Sequence, residues 1–153
     1  MMLQKLILFL LFCFTTHVNA QLLIQKLPDE NLVAIDVEFM QNGYQLAYSH
    51  MTSETYLFKG NEAAWKKCWV DLMHDLSNYM QKKGLKVNIN TTCFNRIYFN
   101  KDGTIKAYLY QLKGFTKAQE KLFDDHLFQF LAAQKVSIKA SENYWQYGTL
   151  KFE

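Results

Sequence analysis

The chain has 153 residues, 50% hydrophobic and 20% charged, with a net charge of +3 at pH 7. That length holds one domain and is short for two, and the composition excludes a disordered chain. Sixteen of the seventeen basic residues are Lys, with Arg96 the single Arg; so mild a balance excludes a nucleic-acid binder, and phosphate clamps of the Arg type are not available.

The first twenty residues read as a secretory signal. Lys5 supplies the positive start, Leu6 to Phe14 an unbroken apolar run, and Val18-Asn19-Ala20 a peptidase site before Gln21. The run is too short for a spanning helix, so no membrane span is expected after cleavage. Cys13 lies inside the apolar run with no small residue before it, which argues against a lipid-anchored cysteine. The expected location is the periplasm or the exterior.

Residues 21–57 read as a strand-rich extension. Ile35, Val37 and Phe39 alternate with Asp36 and Glu38, and Asn42-Gly43 is a strong two-residue turn signal. Tyr44, Leu46 and Tyr48 then alternate with polar or small residues. A two-residue loop sets Phe39 opposite Leu46 and Val37 opposite Tyr48, an N-terminal β-hairpin with its apolar side chains on one face. Thr55 to Phe58 offers a third short strand.

Gly60-Asn61 precedes a long helix. Trp65, Cys68, Trp69, Leu72, Leu76, Tyr79 and Met80 share one stripe, and Gly84 is a natural left-handed stop. A second hairpin follows, with Lys101-Asp102-Gly103 as its turn. A three-residue loop pairs Phe99 with Ile105 and Ile97 with Ala107, and makes Gly103 the left-handed residue. In that register Cys93, Ile97 and Phe99 face the helices, whereas Phe94, Tyr98, Tyr108 and Tyr110 face away. Thr116 with Gln119 forms a capping box for a second helix, whose buried stripe is Leu122, Phe123, Leu127, Phe130 and Leu131. The last strand runs from Trp145 to Phe152, with Leu150 and Phe152 on one face and Trp145, Tyr147 and Thr149 on the other.

In this order of elements, residues 58–153 resemble the C-terminal domain of TonB and its relatives. Phe58-Lys59-Gly60-Asn61-Glu62-Ala63-Ala64 is similar to the entry to the first helix in Bacteroidetes-type members. Tyr98 to Ile105 resembles the family's strand, Asp-Gly turn and strand, and Thr149 to Phe152 its closing strand. The proline that follows Tyr in the family's post-helix motif is absent at Tyr79-Met80. The resemblance implies an α+β fold, two helices packed on an antiparallel sheet, and a sheet edge that pairs with a partner strand. An anchor helix and a Pro-rich rod are not found, so the energy-transducing role of TonB is not implied.

No nucleophile elbow, Gly-rich phosphate loop, Cys-x-x-Cys or closely spaced His pair is found, so neither an enzyme nor a metal or cofactor protein is expected. His126 reads as a boundary histidine, and His74 beside Asp71 and Asp75 as a solvated helix face. Asn90-Thr91-Thr92 has the form of a glycosylation sequon. Cys68 and Cys93 remain after signal cleavage. Both point toward one core layer, and in an exported chain they form a disulfide or, failing that, pack as buried thiols; the disulfide is the expectation.

The main functional hint is a continuous aromatic sheet face. Tyr98, Tyr108, Tyr110, Trp145 and Tyr147, with Arg96 among them, are the residue types that anchor interfaces. The expected function is non-catalytic docking of an envelope or periplasmic protein, or of a second copy of the chain, through that face or a sheet edge. The alternatives are that residues 32–58 cover the face as part of the core, or that a small ligand sits between that hairpin and the sheet.

Overall fold

The computed structural model describes residues 22–27, 38–39, 41–51 and 55–152. The expected signal peptide and residues 32–37 of the first expected strand lie outside them. Strands β1 (Leu23–Lys26), β2 (Gln45–Leu46), β3 (Thr92–Phe99), β4 (Ile105–Lys113) and β5 (Tyr144–Lys151) form one mixed sheet in the order β1-β4-β3-β5-β2. Helices α1 (Glu62–Lys82) and α2 (Lys117–Ala132) cover one face. The fold is α+β. No helix among the described residues is long and apolar enough to cross a membrane.

The antiparallel expectation holds for the three central strands. The two outer strands depart from it, since β1 runs parallel to β4 and β2 parallel to β5. The described part of residues 21–57 thus supplies both flanks of the sheet rather than a hairpin. Its turn signal does different work. Glu38 and Phe39 are helical, Asn42 N–H donates to their carbonyls at 3.1 Å, and the Asn42 side chain donates to Glu38 O at 2.8 Å. Gly43, at φ +78°, ends that helical turn. A left-handed glycine serves a helix end as readily as a type I′ turn, so Asn-Gly alone does not choose between them. Phe39 therefore does not face Leu46. Leu57 and Phe58 donate to Leu46 and Ala47 at 2.8 and 3.1 Å, which ties the expected third strand to β2 without forming a regular one.

The helices form as their patterns require. α1 buries Trp65, Leu72, Met73, Leu76 and Met80. It ends at Gly84 (φ +94°), with Gly84 N–H on Gln81 O at 2.9 Å and Leu85 N–H on Met80 O at 3.0 Å. At the start of α2, Gln119 N–H donates to Thr116 Oγ1 at 3.3 Å while the Gln119 side chain accepts from Thr116 N–H at 2.7 Å. Both arms of the capping box are made.

The β3–β4 ladder contains the most consequential detail. Phe99 pairs with Ile105 as expected, but Tyr98 pairs with Ala107 and Ile97 with Tyr108. Lys106 is the extra residue of a β-bulge, and beyond it every side chain of β4 changes face. Tyr108 and Tyr110 therefore point under the helices, and Ala107 and Leu109 point outward beside Tyr98. Gly103, at φ +91°, takes the expected left-handed turn position, where a Cβ would lie 2.3 Å from Val136 O.

Candidate partner-docking edge

Two surfaces follow from this topology. On the outer face of the sheet, the rows set by pairing are Ala107–Tyr98–Trp145, then Leu109–Arg96–Tyr147, then Gln111–Phe94–Thr149. The first row is covered. Phe39 stacks on Tyr98 at 3.9 Å between centroids, Tyr44 meets both rings edge-on, and Leu27 closes the cluster. Tyr98 is left 1% exposed, and burial pushes its hydroxyl up to about 12. Beyond this cover, the Arg96 guanidinium lies 5.1 Å from the Trp145 ring centre and 5.8 Å from that of Tyr147. Tyr147 is 47% exposed.

Of the five aromatic anchors expected from the sequence, Trp145 and Tyr147 share the outer face and remain accessible in part, whereas Tyr98 shares it but is covered. Tyr108 and Tyr110 are corrections: the bulge turns both into the helix-side core. The Tyr108 hydroxyl donates to Asn95 Oδ1, and the Tyr110 hydroxyl donates to Asp124 Oδ1 at 2.6 Å. Burial raises both phenols well above their ordinary range, and Asp124 raises Tyr110 further.

The expected disulfide is also corrected. Cys68 and Cys93 are free thiols with separate partners. Cys93 is fully buried and donates to Asn95 Oδ1 at 3.1 Å, and burial pushes its thiol far up. Cys68 is half-buried on the far flank of α1, 3.4 Å from Ser137 Oγ. Sharing a helix-facing layer did not bring the two sulfurs together, because the α1 residues against the Cys93 region are Met73 and its neighbours, whereas Cys68 faces residues 134–137. His126 is half-buried on α2, with its ring 6.5 Å from that of Tyr79. No group of three or more metal-binding side chains occurs among the described residues.

The second surface is the β5 edge, which the sequence pattern does not mark. Ala47 N–H donates to Trp145 O at 2.9 Å and Gln45 N–H to Asn143 O at 3.0 Å. Odd-numbered residues of β5 thus turn their main-chain groups to this edge, and even-numbered ones bond to β3. β2 stops at Leu46, and the chain then bends away: Tyr48 N–H is taken by Gln146 Oε1 at 3.0 Å, which also accepts from Trp65 Nε1 at 3.1 Å. Past Trp145, no described strand pairs with β5 on this side. The main-chain groups of Tyr147, Thr149 and Lys151 continue the edge for five residues, or about 16 Å, with Tyr147 O already accepting from Gln146 Nε2 at 3.2 Å.

α1 forms a wall beside that edge. Two adjoining hollows, of about 310 and 520 Å³, run between them and share Trp69 and Val70. Gly148 makes the close approach feasible: a Cβ there would sit 3.0 Å from the Trp69 ring. Val70 is 61% exposed, an apolar side chain held open to solvent at the middle of the groove. The site is therefore a strand edge that no described strand covers, with an apolar wall, the geometry that accepts an added strand.

No protein-family model, curated protein or solved structure matches this chain.

Proposed function

We propose that this is an exported, non-catalytic protein-binding domain that takes an extended segment of its partner along the β5 edge. The observation that carries the reading is the short β2. It pairs with only Tyr144 and Trp145, and no described strand pairs with Tyr147–Lys151 beside α1. Main-chain pairing supplies affinity in such a complex, and contacts to alternate side chains supply specificity. The resemblance to TonB C-terminal domains, with their habit of strand pairing, points the same way. The half-open outer face adds Trp145, Tyr147 and Arg96 as flanking anchors. A small-ligand site between the N-terminal segment and the sheet is less well supported, because Phe39, Tyr44 and Leu27 fill the space against Tyr98.

Thr149→Pro tests the reading. Its N–H points to the open edge, so proline removes a donor without breaking the β3–β5 ladder. Capture of a partner from envelope extract by the parent chain, lost in Thr149→Pro with an unchanged melting temperature, is the expected result. Equal capture by both chains refutes edge docking.

A further inference from the structure

We infer that the segment received by the β5 edge is acidic, with an apolar residue at its centre; this rests on the edge-docking function proposed above. The groove is basic at both ends. Lys66 stands at the β2 end, its Nζ 4.4 Å from the Tyr48 ring centre, and Lys151 stands at the other. His50 and His74 line the same two hollows, and among the described residues no Asp or Glu does. The acidic residues of α1 lie outside the two hollows. Asp71 pairs with Lys67 at 2.6 Å and lines a separate hollow beside Cys68 together with Asp75. Glu62, one turn before Lys66, is hydrogen-bonded by the Tyr56 hydroxyl and by Gly60 N–H, both at 2.9 Å, and its charge is also felt by Lys66, which leaves Lys151 the less compensated of the two ends.

Between the cationic ends, the inner side of the groove is Trp69, Val70 and Met73. Because side chains alternate across a strand, a segment on this edge sends every second residue against that wall and the others out beside Tyr147 and Lys151. Five residues of open edge fit one apolar residue on the wall with carboxylates near Lys66 and Lys151. A second copy of this chain meets the charge pattern poorly. Two β5 strands paired antiparallel about Thr149 bring Lys151 of one copy beside Tyr147 of the other, at the Lys66 end, so that like charges face each other.

The test selects linear heptapeptides from a random displayed library on the full chain at low salt, then titrates the winners while recording amide NMR spectra. The expected peptides carry net negative charge around a central aliphatic or aromatic residue and shift the Tyr147, Thr149, Lys151 and Val70 amides. The double variant Lys66→Glu with Lys151→Glu is expected to bind them about three- to tenfold more weakly, with the on-rate and salt dependence most affected. Neutral or basic winners that shift the same amides overturn the acidic assignment and leave edge docking standing. Winners that leave the β5 amides unmoved overturn edge docking itself. Concentration-dependent dimerisation that broadens those amides in the absence of peptide overturns the heterologous partner.

Discussion

Replacing Tyr108 with Ala separates the bulged β4 from a straight one. In the bulged strand the Tyr108 ring is 0% exposed among helix-side core residues, and its hydroxyl donates to Asn95. Removing a buried aromatic ring costs about 3–5 kcal/mol in transfer and cavity terms. The lost hydrogen bond adds about 1 kcal/mol and no more, because Cys93 Sγ continues to donate to Asn95 Oδ1 and that acceptor is not orphaned. For a domain of this size each kcal/mol is worth roughly 3–5 °C, so a loss of about 4–6 kcal/mol should lower the melting temperature by roughly 12–30 °C. Tyr147→Ala is the control. That ring is 47% exposed and loses its contacts with Trp145, Arg96 and Phe94, at a cost of about 1 kcal/mol. Thermal and urea unfolding followed by circular dichroism measures both. An unbulged ladder puts Tyr108 on the outer face beside Tyr147 and predicts small losses of similar size for both. A Tyr108→Ala melt within about 3 °C of the parent, the usual range of surface changes, refutes the register and the buried network built on it.

Other substitutions probe separate features. Tyr144 is 0% exposed, and its hydroxyl has no hydrogen-bond partner among the described residues, so Tyr144→Phe should raise stability by about 1 kcal/mol in urea titrations. Gly103→Ala places a Cβ against Val136 O in a left-handed backbone and should destabilise by about 2 kcal/mol or more, read the same way. Alkylation under native conditions should label Cys68 alone, with Cys93 reacting only after unfolding, and intact mass should show two unbridged thiols. Hydrogen bonds from the Thr104 hydroxyl and N–H, with Lys135 nearby, lower the Asp102 carboxyl to about 2. A lowered carboxylate contributes stability above its unfolded value near pH 4 that is lost as pH falls toward 2, so Asp102→Ala should flatten that part of the stability profile.

The parts of the fold legible in the sequence are those specified by neighbours a few residues apart. Thr116 and Gln119 announce the start of α2, Gly84 the end of α1, and Asp102-Gly103 the turn between β3 and β4. The bulge was not legible. Lys106, Ala107 and Tyr108 alternate as well with the tyrosine outward as inward, and one extra residue changes no composition or period. Only the partner strand decides, by setting Ile97 against Tyr108. β1 leaves no local sign, because its pairing is parallel and with a strand far along the chain, so no turn lies beside it to read. Val37 and Asn42-Gly43 carried a hairpin pattern, yet the glycine closes a helical turn. The β5 edge escaped for a topological reason: whether a strand is left unpaired depends on where another one stops, and nothing within Tyr144–Lys151 records that β2 ends at Leu46. The outward face of Trp145 and Tyr147 is legible because β5 pairs with β3 without a bulge, so alternation holds.

Both flanks of the sheet come from early parts of the chain, while the strands they lie against come late. During synthesis Leu23–Lys26 and Gln45–Leu46 leave the ribosome well before residues 105–113 and 144–151 exist, so neither can settle until nearly the whole polypeptide has been made. Until then these two segments stay unpaired and visible to holding chaperones. The same delay makes the loss of either flanking segment costly, since the finished sheet would then present raw borders to its neighbours and invite aggregation.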